Sequence, residues 1–183
     1  VRHIGFSTHT PSLAHRVLDT GFVDQLMFSI NPGYDYQHGE YAKGSAGERM
    51  DLYRHCETAG VGIFVMKPFS AGQLLDAKTS PFGRALSQYQ CIQYALDKPG
   101  VLTVLPGIRN VEDVKHLLGF FDVAEEERDY SVLGSCTPVE MARNCVYCNH
   151  CQPCPAGLNV GLINKYYDLA KAGDVMAAEH YQN

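Results

Sequence analysis

Cys145, Cys148, Cys151 and Cys154 recur at every third residue and are followed at once by Pro155, which places four thiols within ten residues. Soft thiolates suit iron–sulfur clusters and zinc. A loop with so short and even a spacing can wrap one compact inorganic core, and the proline then turns the chain away. The bacterial 4Fe-4S run is C-x2-C-x2-C-x3-C-P. This segment matches its first three ligands and its proline, and it is one residue short before the last cysteine. Either Cys154 closes the cluster, or it reaches to a second one, as the fourth cysteine does in two-cluster ferredoxins. Cys136 is the local substitute.

Two other readings compete for the same thiols. Structural zinc sites usually split into two C-x2-C knuckles with a longer stretch between them, a division this run lacks. Disulfides need an oxidising compartment, and nothing in the opening Val-Arg-His-Ile-Gly-Phe resembles a secretory signal. The seven cysteines are also an odd number. Iron–sulfur is therefore the expected chemistry and the cytoplasm the expected compartment. His150 lies inside the loop, where an outer, solvent-facing role is expected rather than ligation.

The elements that must carry this loop read as follows. A chain of 183 residues, 45% hydrophobic, has room for one domain with an appendage or for two small ones. Its net charge of −5, without a basic run, argues against nucleic acid and anionic membrane surfaces as partners. The longest apolar stretch, near Val61 to Met66, is too short to span a membrane. Buried strands are predicted at Ile4–Ser7, Val23–Ser29, Gly62–Met66 and Val101–Leu105. Helices are predicted after a Thr10 cap with Pro11 at the first position, and between Gly47 and Gly60. Another is predicted from a region opened by Ser80-Pro81 and carrying Leu86, Tyr89, Ile92 and Leu96, and a fourth over Val111–Leu118 after an Asn110 cap. Glu125–Tyr130 reads as a charged connector.

Behind the cysteines, a helix carries Leu162, Tyr166 and Leu169 and ends at Gly173; a further helix is predicted over Asp174–Asn183. Leu158 and Val160 could serve as an apolar lid over a cluster or as ordinary core contacts.

Strands alternating with amphipathic helices predict a parallel sheet covered by helices. Four such units make half a (β/α)8 barrel, since a complete one needs about 250 residues. An open doubly wound sheet is the alternative, but no G-x-G-x-x-G follows any strand. In a barrel, ligands meet the C-terminal strand ends. Those ends are Ser7-Thr8-His9, Asn31-Pro32, Met66-Lys67-Pro68 and Pro106-Gly107-Ile108-Arg109. A glycine, an arginine and a helix start after the last strand suit a phosphate, whereas Glu112 and Asp113 oppose an anion there. Lys67 is expected to point into the cleft or to snorkel out of it. His9, His55 and His116 show no metal-ligand spacing and are expected at the surface or hydrogen-bonded.

Ile4-Gly5-Phe6-Ser7, Phe28-Ser29-Ile30-Asn31, Val65-Met66-Lys67-Pro68-Phe69-Ser70-Ala71-Gly72 and Leu105-Pro106-Gly107, in that order, resemble strands five to eight of an aldo/keto reductase barrel. With the cysteine run behind them, they resemble the branch of that family with a C-terminal ferredoxin-like 4Fe-4S domain. The resemblance implies a partial barrel over residues 1–124 and a mainly helical, truncated iron–sulfur segment over 131–183. It also implies an NADP(H) site across the strand ends. Ser7 would meet the carboxamide, and Met66 would stand where an aromatic usually stacks on the nicotinamide. Lys67, Pro68 and Gly72 would line the phosphate path, with Gly107, Arg109 and Asp113 along the adenosine end. Met27 stands where a cofactor-binding glutamine is usual, and Leu117 where an adenine-contacting asparagine is common. The metal ligands would be Cys145, Cys148, Cys151 and Cys154.

The family's proton-donating tyrosine and its partners belong to strands one to four, so this chain alone is expected to fail as a carbonyl reductase. The same resemblance implies that the chain is cut from a longer one and that a further cysteine run follows Asn183. Implied partners are a small-molecule substrate and a redox partner, with self-association through exposed sheet edges. A non-enzymatic electron-transfer module and a zinc-stabilised binding module are the alternatives.

Overall fold

The computed structural model describes residues 1–39, 41–135, 152–171 and 181. Four parallel strands form one sheet in the order β1-β2-β3-β4: β1 Gly5–Thr8, β2 Gln25–Ser29, β3 Gly62–Met66 and β4 Val101–Leu105. Chain order and spatial order coincide, so every crossover steps in the same direction. Each strand lies where its apolar run predicts it, within two residues.

The sheet has two unlike faces. Leu26 and Phe28 of β2 and Ile63 and Val65 of β3 are fully buried, in one core with Leu52, Tyr53 and Cys56 of α3 (Ala46–Ala59) and Cys91, Tyr94 and Ala95 of α4 (Gln88–Leu96). Ala14 and Leu18 of α1 (Pro11–Leu18) join them. Each buried Leu, Ile, Val or Phe among them gains about 1.5–3 kcal/mol from leaving water. Burial also pushes the Cys56 and Cys91 thiols up, to about 11 and about 12, so both stay neutral packing groups.

Side chains of the other parity, Ser7, Met27, Phe64 and Met66, alternate with these along their strands and pack less. Gly62 belongs to this open face. A side-chain carbon there would fall 2.2 Å from Cδ1 of Leu102, which lies across it.

The helix ends explain where the sequence pattern misses. Ser45 and Glu48 form a reciprocal capping box, which starts α3 at Ala46 rather than at Gly47. Gly60, at φ 69°, ends it in the left-handed conformation. Ser87 and Gln90 form a second box, so α4 begins at Gln88 and not at Ser80-Pro81. Leu86 is buried but precedes the helix. Thr10 precedes α1 without a side-chain cap bond; its amide instead donates to Thr8 Oγ1. Asn31 caps a short α2 (Pro32–Asp35), and Asn110 caps α5 (Val111–Leu118). The charged stretch includes a single helical turn, α6 (Glu125–Arg128). Behind the cysteine run, α7 spans Val160–Lys171.

A buried polar knot ties β2 to the helices. Arg49 Nε donates to Asp35 Oδ1 at 2.7 Å, and the Tyr53 and Tyr94 hydroxyls donate to the same carboxylate at 2.7 and 2.9 Å. Burial, reinforced by that carboxylate, pushes both phenols up and keeps them neutral donors. No helix among the described residues is long and apolar enough to cross a membrane.

Candidate functional site

The segments that follow β3 and β4 face each other across a cleft of about 560 Å³, lined by Lys67, Pro68, Gly72, Gly107, Arg109 and Asp113 among others. Its volume is that of a small-molecule or cofactor site. These are the six residues for which phosphate and adenosine roles are expected from the sequence. Ser7, Met27 and Met66 do not line it. They stand on the open sheet face, where Ser7 pairs in register with Met27 and Met66 with Ser29 and Leu105.

The loop after β3 is held in an unusual conformation. Lys67, Ser70 and Ala71 all have positive φ, at 58°, 49° and 57°, and Gly72 follows at 92°. Each such non-glycine residue costs on the order of 1–3 kcal/mol, and this kind of strain collects at ligand clamps. The cap of α2 braces the shape: Asn31 Nδ2 donates to the Lys67 carbonyl at 2.8 Å while Asn31 Oδ1 accepts from the Tyr34 amide. No atom stands within 4 Å of where a side-chain carbon would sit on Gly72 or Gly107. A ligand can therefore approach the backbone closely at both.

The cations of the site are already engaged. Nζ of Lys67 is buried, 3.8 Å above the centre of the Tyr41 ring, so it neither snorkels nor stands free in solvent. Tyr41 also lies 4.5 Å from the His9 ring, and His9 Nδ1 is 3.1 Å from Ser29 Oγ. Arg109 gives its amide and Nε to Asp113 Oδ2 at 3.0 and 3.1 Å, and Nη2 to Oδ1 at 3.4 Å. Those bonds hold the Asp113 carboxyl below its ordinary range. The opposition between arginine and acid expected from the sequence is thus a paired arrangement, with the guanidinium still mostly open to solvent. Of the other histidines, His55 faces His15 Nδ1 to Nδ1 at 2.8 Å, and His116 lines the cleft.

Sequence reasoning passed over several lining residues. Leu75, Gln88 and His116 and, from α7 and the residue before it, Asn159, Gly161 and Leu162 are among the others that line the cleft. His116 sits on α5, whose start was readable from the Asn110 cap, whereas Gln88 opens α4, whose start was not. Nothing in the order of residues announces that α7 returns to this place. Leu158, considered as a cluster lid, is half exposed.

Cys145, Cys148 and Cys151, with Cys136, lie outside the described residues. Cys154 is half-buried, and its thiol is in no disulfide. Its carbonyl accepts from the Gly157 amide at 2.9 Å across Pro155, the chain reversal expected of that proline. Among the described residues no group of three or more His, Cys, Asp or Glu side chains converges as a metal site.

No protein-family model matches the chain, and no curated protein matches it.

Proposed function

We propose that this chain is the cofactor-binding half of an oxidoreductase barrel of the aldo/keto reductase type, joined to a segment that holds a 4Fe-4S cluster. The observation that carries the reading is the pairing of an unreversed strand order with a cleft at the C-terminal ends of β3 and β4. A doubly wound sheet reverses its order and binds ligands at the reversal, whereas a barrel steps one way and binds at the strand ends. The cleft fits a nicotinamide dinucleotide on the chemistry of its lining. Bare backbone at Gly72 and Gly107 and the Arg109 guanidinium suit the diphosphate. Ser7, Met27 and Met66, on the adjoining open face, suit the nicotinamide end.

When bound, the dinucleotide supplies hydride chemistry; the chain's own residues bind and orient it. Cys145, Cys148, Cys151 and Cys154 would ligate the cluster, whose one-electron chemistry would connect the site to a redox partner. The carbonyl-reducing tyrosine and its partners would come from the other half of the barrel, and the substrate would be a small molecule. Two copies of the chain would associate through the unpaired edges of β1 and β4.

Anaerobic preparation followed by iron and sulfide analysis, with NADPH and NADH titrations on the same material, tests both parts. The reading expects brown protein with broad visible absorption that binds a reduced dinucleotide. Colourless, iron-free protein after reconstitution removes the cluster, and zinc in its place restores the binding-module alternative.

A further inference from the structure

We infer that the first turn of α7 is a working wall of the dinucleotide cleft, so that cofactor binding and docking of the segment behind the cysteine run are one coupled equilibrium. The inference rests on the proposed reading of the cleft and adds to it a role for residues outside the barrel. Leu75 and Ile108 line the cavity from the barrel side and Leu162 lines it from α7. All three remain open, with 38%, 55% and 41% of their surfaces exposed. The two walls therefore do not satisfy each other's apolar surface. A flat ring entering between them would bury all three, while Gln88 and His116 in the same lining offer polar groups to its edge. That chemistry is an adenine base.

The α7 wall is stiff enough to serve. Asn159 accepts from the Leu162 amide through its side chain at 3.1 Å and from the Ile163 amide through its carbonyl at 3.0 Å. Asn164 Nδ2 adds a bond to the Val160 carbonyl at 2.8 Å. These bonds tie Asn159 and Val160 into the first turn. In sequence, the cysteine run is what joins α7 to the barrel half. A ligand that contacts both walls favours the docked state, and by linkage anything that favours docking tightens the ligand.

The test uses the full chain, anaerobically prepared, with NADPH and NADH titrated by nicotinamide fluorescence and hydrogen exchange followed at residues 160–163. The wild type should show slower exchange in that turn when dinucleotide is present. Leu162→Asp and the milder Leu162→Ala should weaken binding, the former by about tenfold or more, as expected for losing one buried leucine. Tyr167→Ala, at a half-exposed position of the same helix outside the lining, should bind as wild type does. Wild-type affinity in both Leu162 variants, with exchange unchanged by ligand, would overturn the inference and leave the proposed function standing. Absence of any dinucleotide binding in the wild type would overturn both.

Discussion

Adjacent residues of β2 live in opposite surroundings: Phe28 is fully buried beneath the helices, while Met27, one position earlier, is 37% exposed on the other side of the same sheet. The helix-covered face is finished. Its side chains interlock with α1, α3 and α4, and Arg49 spreads its guanidinium 4.9 Å from the centre of the Phe28 ring. The open face carries Ser7, Met27, Met66 and Leu105 and lacks such a cover among the described residues. Parallel sheets are ordinarily covered on both sides, so the contrast marks one face as packed and the other as uncovered among the described residues. Buried packing is concentrated on one face, and the proposed nicotinamide end lies on the other.

The largest effect should come from breaking the finished face. Phe28→Ala is expected to cost about 3–5 kcal/mol, the usual toll of emptying a buried aromatic site, whereas Met27→Ala should stay within about 0.5 kcal/mol. Chemical denaturation of the two variants measures this, and equal losses would mean that the open face is packed in solution. A smaller effect is expected at Gly62. Gly62→Ala would push the Leu102 side chain aside, but Leu102 is 66% exposed and can swing away. Its cost should therefore remain within about 1 kcal/mol. A loss of several kcal/mol would show that Leu102 is held in place by a covering surface.

The smallest effect concerns α3, the helix that seals the finished face. Hydrogen bonds from the Ser45 backbone and side chain lower the Glu48 carboxyl below its ordinary value of 4.5. A carboxyl lowered on folding contributes stability above its unfolded pKa and loses it as pH falls through the folded one. Glu48→Gln keeps the reciprocal bond while removing the charge. Wild type should melt slightly higher than this variant at pH 7, and the two should converge well below pH 4.5. Parallel melting curves at both pH values would refute the role given to the charge.

Much of the framework was legible because it is local. Short apolar runs located all four strands, and Asn110 located α5, since a cap satisfies amides only three residues away. The misplaced start of α4 is instructive. Ser80-Pro81 and Ser87-x-x-Gln90 both signal a helix start, and only the second has the partner that closes a box. The site was legible in part. Six residues expected in the nucleotide path line one cleft, because loops following parallel strands must emerge at the same end of the sheet. Lys67 lines the cleft, but the burial of its ammonium against Tyr41 was not legible, since it depends on a residue 26 positions earlier in the chain.

The residue order by itself located the strands and the Asn110 cap, both set by interactions across a few residues. The tertiary structure decided which strand parity would be covered, that Asp35 would gather Arg49, Tyr53 and Tyr94, and that Leu162 would return to a cleft begun at Lys67. The physical reason is range. Capping and alternation are fixed by bonds to near neighbours, whereas burial and charge pairing depend on groups that only the fold brings within a few ångströms.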